Sequence, residues 1–227
     1  MKVWSTFAAT VVLAAPAWGQ VGHPPTNSPF RDLEYRQEFS LYGGYYQANG
    51  DPVGVAPQSG PMLGVRYELR IGGPAQLSVR FARVWSERDI LDPDRPEDPP
   101  IVGTTDVGLY LADAGFSFNL TGQKSWHGFV PLLSAGFGIA SDFKGSRDIG
   151  GFRIGTPFAI SAGGGVRWVP GGPFQLRVDV LDYWYQIQYP DSYFASTPTN
   201  PAVRTGSQNV WTSNLAFTIG ASYQFFR

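Results

Sequence analysis

The chain of 227 residues contains no cysteine and only two histidines. Without cysteine, disulfide bonds and lipid anchors on a cysteine side chain are excluded. The formal net charge is −1, so the chain lacks the excess of positive charge that a general nucleic-acid-binding role requires. No stretch is long and apolar enough for a membrane-spanning helix, which needs about 20 residues. A disulfide scaffold, a nucleic-acid-binding protein and a helical membrane protein are therefore excluded.

The N-terminus has the layout of a secretory signal sequence. Lys2 is followed by the apolar run Phe7–Ala15, and small residues continue to Ala17 and Gly19. A positive charge, a short apolar run and a small-residue cleavage site together direct export, after which the segment is removed. We predict a signal peptide over residues 1–19, and cleavage after Ala17 or after Gly19 fits.

The composition favours strands and turns over helices, with 28 glycines, 19 prolines and 15% aromatic residues. Eight segments show apolar residues at alternate positions, and most reach the roughly 10 residues that a tilted membrane strand needs. The predicted strands are Phe39–Gln47, Met62–Ile71, Ala75–Trp85, Asp106–Leu120, Phe129–Ala140, Pro157–Val169, Phe174–Gln188 and Val210–Phe226. We therefore predict one all-β domain over residues 39–227, an eight-stranded antiparallel up-and-down transmembrane barrel.

The connections between these strands alternate in length. Gly72–Pro74 and Pro170–Pro173 are short, the connection between the fourth and fifth strands is modest, and the others are long. In an up-and-down meander the short turns share one end and the long loops the other. Outer-membrane barrels show this asymmetry, with short periplasmic turns and long extracellular loops. Residues 20–38 are then expected to form a periplasmic tail.

Each strand has an apolar face and a face of glycine, small residues and arginine. A soluble barrel would prefer lysine, glutamate and threonine on its polar face, so we place the apolar face toward lipid and the other in a narrow lumen. The predicted lumen charges are Arg66, Glu68, Arg70, Arg80, Asp113, Arg167, Arg177 and Asp179, and Gly64, Gly115, Gly163 and Gly165 are expected to clear space for them. These charges either line a selective pore or form a salt-bridge network. The network is favoured because side chains can fill an eight-stranded barrel.

Outward aromatic residues bunch near the strand ends, as in the girdles of membrane barrels. The predicted girdle comprises Tyr45, Trp85, Phe118, Phe129, Trp168, Trp184 and Trp211. Arg83 and Asp182 also fall on the outward face. A charge on the lipid face is costly at the midplane and cheap near the interface. Either the membrane ends near these two residues, or a bulge shifts the register.

The final strand, "NLAFTIGASYQFF", carries apolar residues at every second position: Leu215, Phe217, Ile219, Ala221, Tyr223 and Phe225. With this strand and the eight-strand pattern, residues 39–226 resemble the small outer-membrane β-barrel family of OmpA/OmpX-like proteins. The resemblance implies that these outward residues are the signal read by the barrel-assembly machinery. It also implies a place in the outer membrane, among lipid and lipopolysaccharide, and we expect a monomer.

Other candidate sites are weak. Asp92, Asp94 and Asp98 could supply calcium ligands, but their spacing is not that of an EF-hand, and a solvated acidic loop is preferred. His23 lies in the tail and His127 in a turn, and neither belongs to a nucleophile–base–acid arrangement. The His-x-Ser pair of lipid deacylase barrels has no match. We therefore predict no catalytic residue, no cofactor and no resident metal.

Three functions stay open. The preferred one is a non-enzymatic outer-membrane barrel with a filled lumen, which supports the envelope or contacts an unidentified extracellular ligand through its loops. The second is a narrow channel or transporter for small solutes, apolar ones among them, which bilayer conductance would reveal. The third is a lipid-modifying enzyme, which hydrolysis or acyl transfer on lipopolysaccharide would reveal.

Overall fold

The computed structural model describes residues 28–51, 53–95, 99–196 and 202–225. The predicted signal peptide, residues 1–19, lies outside the described residues. The described part of the chain is built from strands, with a single turn of 3₁₀ helix at Asp191–Tyr193. None of its helical structure is long and apolar enough to cross a membrane.

Eight of the strands form a closed antiparallel ring. The ring strands are β2 (Gln37–Gln47), β3 (Gly60–Gly72), β4 (Ala75–Leu91), β5 (Ile101–Asn119), β7 (Phe129–Ser141), β8 (Phe158–Trp168), β9 (Phe174–Gln188) and β10 (Asn209–Phe225). Two further short strands, β1 (Phe30–Asp32) and β6 (Lys124–Trp126), pair with each other. Each ring strand pairs with the next along the chain, and β10 pairs with β2 to close the ring. The predicted eight-stranded up-and-down barrel is confirmed.

The ring has two unlike ends. Gly73 and Pro74 join β3 to β4, and residues 169–173 join β8 to β9. These connections, with the one that contains β6, define the short-turn end. Residues 48–59, 142–157 and 189–208 connect strands at the opposite, long-loop end, beside the β4–β5 hairpin.

The β4–β5 hairpin is longer than predicted. The sequence placed the strand ends at Trp85 and Asp106, but β4 continues to Leu91 and β5 begins at Ile101. Strand pairing runs from Ser86 opposite Val107 to Ile90 opposite Gly103. The β-branched residues that open β5 favour extended backbone, which outweighs the acidic residues opposite them. Much of the predicted acidic loop is therefore a paired hairpin.

Side chains alternate between the two faces of the ring as predicted. In β9, the apolar side chains of Leu176, Val178 and Val180 are exposed on the outer wall, whereas Gln175, Arg177 and Asp179 are buried in the lumen. The same arrangement holds in the other ring strands, so the outer wall is a continuous apolar band. An apolar surface of this extent suits lipid, not water.

The inward glycines serve two purposes, only one of which was predicted. A Cβ on Gly64 would lie 2.5 Å from the ring of Tyr42, so this glycine makes room for a lumen side chain. On Gly115 and Gly163 a Cβ would lie 2.1 and 2.0 Å from a backbone carbonyl oxygen of the next strand. These two glycines permit close approach of neighbouring strands in a tightly coiled barrel. Gly165 does both, since its Cβ would meet the carbonyl of Val178 and the carboxylate of Asp179, and so does Gly64, whose Cβ would also lie 2.7 Å from the carbonyl oxygen of Phe81.

The segment before the barrel is not a free tail in its described part. Strand β1 pairs with β6, and the Leu33 amide donates to the Gln123 carbonyl at 2.9 Å. The barrel itself begins at Gln37, two residues before the predicted start. The prediction of a tail over residues 20–38 is therefore wrong for its last part, because backbone pairing and the buried Leu33 and Tyr35 hold it against the short-turn end.

Candidate functional site

A network of buried ion pairs occupies the lumen. The predicted lumen charges are all buried there except Arg70, which is half-buried at the short-turn mouth. One further member, Glu38, is fully buried beside them. We call the following eight residues the lumen network: Glu38, Arg66, Glu68, Arg80, Asp113, Arg167, Arg177 and Asp179.

Most ion pairs of the lumen network cross the barrel from one wall to the other. Glu68 on β3 accepts hydrogen bonds from Arg167 on β8 and Arg177 on β9, each at 2.7 Å. Asp179 on β9 accepts from Arg66 on β3 at 2.9 Å and from its neighbour Arg177 at 2.8 Å. Since β3 lies across the ring from β8 and β9, these contacts brace opposite walls against each other.

The register of the strands explains why the pairs cross the lumen. Glu38 lies opposite Glu68 on adjacent strands, and Arg167 lies opposite Arg177. Like charges placed side by side on neighbouring strands repel each other. In this barrel each like-charged pair meets the opposite charge on the far wall, so the two unfavourable pairs together become a favourable cluster.

A second group in the lumen network centres on Asp113 of β5. Its carboxylate accepts from Arg80 at 2.6 and 2.8 Å and from the Tyr183 hydroxyl at 3.2 Å. Arg80 also donates to the Ser161 hydroxyl at 2.9 Å. The group connects four strands, β4, β5, β8 and β9, and satisfies most of the hydrogen-bonding capacity of the carboxylate.

Glu38 was missed from the sequence because the barrel was taken to begin at Phe39. The inward alternation of Ser40 and Tyr42 extends back to Glu38, and this signal could have found it. Its carboxylate lies 3.4 Å from Arg167. With Glu38 included and Arg70 at the mouth, the four arginines of the lumen network are matched by its four carboxylates. The predicted set held five arginines and three carboxylates, and this imbalance is not present in the lumen.

The N-terminal segment, residues 28–36, closes the short-turn mouth below the lumen network. Tyr35 is buried, and its hydroxyl accepts hydrogen bonds from Arg167 and from Gln76. Arg70 donates to the Leu33 carbonyl at 2.9 Å, and its guanidinium lies 5.8 Å from the centre of the Tyr35 ring. Arg70 therefore fastens this segment and does not pair with a lumen carboxylate.

Apolar and tyrosine side chains fill the lumen above the ion pairs. The hydroxyls of Tyr46 and Tyr185 are hydrogen-bonded at 2.8 Å. Aliphatic side chains from the surrounding strands pack around them; these include Met62, Val84, Leu109, Leu111 and Leu181. The polar half and the apolar half of the lumen are thus stacked along the barrel axis.

Buried side chains from the long loops cover the apolar half. We call them the loop cap: Val55, Ala56, Phe152, Tyr189 and Tyr193. Asp51 organises the first loop, because its carboxylate accepts from the amides of Val55 and Ala56 at 2.8 and 2.9 Å and from the Tyr189 hydroxyl.

Ionisation does not loosen the loop cap near neutral pH. Burial and the hydrogen bond to Asp51 raise the pKa of the Tyr189 hydroxyl above its usual value. Burial and the nearby carboxylate of Asp148 raise the pKa of Tyr193 in the same direction. Both tyrosines therefore stay protonated, and Tyr189 keeps its role as a donor. The ion pair of Arg88 with Asp148, at 2.8 Å, ties the β4–β5 hairpin to this cap.

The weak candidate sites are dispersed. Asp92 and Asp94 lie at the tip of the β4–β5 hairpin, where the Asp94 amide donates to the Asp92 carboxylate, and Asp98 lies outside the described residues. Across the described ranges, no three His, Cys, Asp or Glu side chains are grouped closely enough to hold a metal ion. His127 is exposed in the turn after β6, with its ring against Trp126. His23 lies outside the described part of the chain.

The predicted girdle and final-strand residues lie on the outer wall. Tyr45, Trp85, Phe118, Phe129, Trp168 and Trp211 are exposed, and Trp184 is half-buried on the same face. In β10, Leu215, Phe217, Ile219, Ala221 and Tyr223 are exposed and Phe225 is half-buried. These placements fit a lipid-facing girdle and strand, and the assembly role of β10 stays a prediction.

Arg83 and Asp182 lie on the outer wall without any bulge beside them. Pairing between β4 and β5 is continuous through Arg83, and pairing between β9 and β10 is continuous through Asp182. Asp182 is half-buried and accepts from the Ser213 hydroxyl at 2.7 Å. Of the two explanations that the sequence allowed, a shifted register is therefore wrong at both positions.

No protein-family model and no curated protein sequence matches the chain. Its structure is similar to that of the outer membrane protein OprG from Pseudomonas aeruginosa, with a TM-score of 0.52 and 13% identity over 86% of this chain and 99% of that one. Neisserial surface protein A aligns with a TM-score of 0.48 and 17% identity over 87% and 98% of the two chains. The likeness to OprG confirms the fold class, an eight-stranded barrel of the outer-membrane type.

Proposed function

We propose that this chain is a non-enzymatic outer-membrane barrel with a closed lumen, which serves the envelope through its wall and its surface loops. The observation that carries the proposal is the lumen network, in which four arginines and four carboxylates are buried and paired, most of them across the barrel. A selective pore needs charged groups that face water and remain free to meet a solute. The charges in this lumen are occupied with each other.

Two further features support a closed lumen. Tyr35 in the N-terminal segment covers the short-turn mouth, and the loop cap covers the other end. A solute that crossed the barrel would have to displace the N-terminal segment, the lumen network and the loop cap. Among the described residues, no observation therefore favours the alternative of a narrow channel, and no grouping of side chains favours the lipid-modifying enzyme.

Placement in the outer membrane rests on the apolar outer wall and on the fold. The outer wall exposes a continuous band of apolar side chains, with aromatic residues near both ends of the strands. OprG, whose fold is similar, is an outer membrane protein. On this proposal the long loops face the outside of the cell, where they meet lipopolysaccharide and a ligand yet to be identified, and the barrel acts as a monomer.

Labelling of single cysteines tests this placement, because the chain has no cysteine of its own. Ser196 is exposed at the long-loop end, and Gln123 is exposed at the short-turn end. With Ser196→Cys and Gln123→Cys made separately, a thiol reagent that does not cross the membrane should label intact cells only at position 196.

Disrupted cells provide the control, since both cysteines should then react. Labelling of intact cells at position 123 and not at 196 would contradict the proposed orientation. Labelling at neither position in intact cells, with both reactive after disruption, would contradict surface exposure of the loops.

A further inference from the structure

One arginine lies on the outer wall of the barrel instead of in the lumen. Arg83 is exposed on the same face of β4 as Phe81 and Trp85. Each arginine of the lumen network has a carboxylate within ion-pair distance. In the part of the chain that the structure describes, no carboxylate lies within that distance of Arg83. The charge of Arg83 is therefore left for a group outside the protein.

The guanidinium of Arg83 is held in a shaped notch. It lies 5.2 Å from the ring centre of Trp85 and 5.6 Å from that of Tyr110, distances at which a cation is attracted to an aromatic ring. A Cβ on Gly108 would lie 3.4 and 3.5 Å from its nitrogen atoms, so the glycine forms the floor beneath it. We call Arg83, Trp85, Gly108 and Tyr110 the outer-wall notch.

The height of the notch on the barrel indicates what it meets. Arg83 lies one outward position below Trp85 of the predicted girdle. At about 3.3 Å per residue and a tilt of about 40°, it lies roughly 20 Å above the start of β4, toward the upper edge of an apolar band about 25 Å tall. A long arginine side chain at this height reaches the headgroup layer of the leaflet at the long-loop end.

The charges around the notch indicate at which end of it an anion would bind. The notch opens into a hollow of about 770 Å³ that Lys144 also lines. Glu87, Asp106 and Asp142 line the same hollow, and Glu87 and Asp106, which lie opposite each other on β4 and β5, belong to its loop-ward side. Their repulsion disfavours an anion there, so an anion is best placed at the membrane-ward end beside Arg83.

We infer that the outer-wall notch binds the phosphate group of an anionic membrane lipid. Arginine suits this ligand because its planar fork of donors matches phosphate oxygens, and the two rings keep the fork in place. Both lipid A of lipopolysaccharide and an anionic phospholipid carry such a group. The inference rests on the membrane placement proposed above, since the notch faces water in any other setting.

Lipid retention by the purified full-length protein tests the site. The protein in a neutral detergent is mixed with lipid A, with dephosphorylated lipid A or with phosphatidylglycerol, and bound lipid is counted by native mass spectrometry. Arg83→Gln should lower retention of a phosphate-bearing lipid by about tenfold, the size of one charge-assisted hydrogen bond. Retention of dephosphorylated lipid A should not change. A loss confined to lipid A would identify lipopolysaccharide as the source, and an equal loss with phosphatidylglycerol would identify phosphate in general.

Arg153→Gln is the matched control, because Arg153 is also an exposed arginine at the long-loop end but lies outside the notch. It should retain lipid as the wild type does. A difference in gel migration between unheated and heated samples shows that each variant is folded, and Arg83→Gln should fold because it removes a charge from an apolar wall. Equal retention by a folded Arg83→Gln variant would overturn the inference while leaving the barrel proposal intact. Failure of the wild type to insert into lipid would instead overturn the barrel proposal.

Discussion

Glu68→Ala is expected to lower the free energy of unfolding of the barrel by about 3–5 kcal/mol, the usual cost of leaving a buried charge without its partner. The Glu68 carboxylate accepts hydrogen bonds from Arg167 and Arg177, each at 2.7 Å, and from the Ser117 hydroxyl at 2.8 Å. Removing its carboxylate therefore leaves two buried guanidinium groups short of an acceptor. The measurement is urea unfolding of the barrel in lipid vesicles, followed by migration of unheated samples.

Asp32→Ala is the matched control for this experiment. Asp32 also forms an ion pair, with Lys124 at 3.9 Å, but both side chains are largely exposed. An exposed pair contributes about 0–1 kcal/mol, so this variant should unfold close to the wild type. Similar, small effects from both variants would show that the lumen network is hydrated and not closed. Combining Glu68→Ala with Arg167→Ala should restore part of the loss, because one stranded charge is removed with its partner.

Replacing the terminal rings of β10 is expected to abolish assembly in cells. Tyr223 and Phe225 face outward at the end of the strand, where they are paired in register with Phe39 and Gln37. The double variant Tyr223→Ser with Phe225→Ser keeps this backbone pairing but removes the alternating pattern at the strand end. We expect no heat-modifiable species in the outer-membrane fraction, compared with full insertion of the wild type.

Two comparisons separate an assembly signal from simple loss of stability. Phe39→Ser removes an exposed ring from the adjacent position on β2 and should leave assembly in cells intact. The Tyr223 and Phe225 double variant should still refold into vesicles from urea, since no assembly machinery is required there. Assembly of the double variant in cells, or equal failure of Phe39→Ser, would contradict a signal specific to the last strand.

The strand pattern was predictable because alternation reports the environment of each residue. Strand β9 was placed at Phe174–Gln188 from the sequence and is observed there. Its apolar and polar residues occupy the predicted faces. When one face of a strand meets lumen side chains and the other meets lipid, apolar residues alternate along its sequence with a strong period of two, whichever face is apolar. The polar face carries glycine and arginine in place of lysine, and from this we predicted that the apolar face points outward to lipid.

The partners within the lumen were not predictable from the same pattern. Alternation shows that Glu68 and Arg167 face inward, but their contact depends on barrel closure and on the register of every strand between β3 and β8. Glu38 was lost because one strand boundary differed by two residues. The contact of Tyr35 with Arg167 joins two segments far apart in sequence, which local periodicity does not encode.

The ends of the barrel were the least predictable part. Residues 86–91 read as an acidic loop with little apolar content, yet pairing with β5 makes them a strand. Val55 and Phe152 lie in irregular loops and have no periodic neighbours, although both are buried in the loop cap. Their burial follows from how the loops fold over the lumen, which is a tertiary effect.

The closed lumen is the central claim, and conductance of the wild-type protein in planar lipid bilayers tests it most directly. The full-length barrel should insert without any steady current at either polarity, while a water-filled porin in the same apparatus conducts. The reason is that the N-terminal segment, the lumen network and the loop cap each fill the barrel at a different height. A stable, ion-selective single-channel current from the wild type would contradict the account and favour a channel.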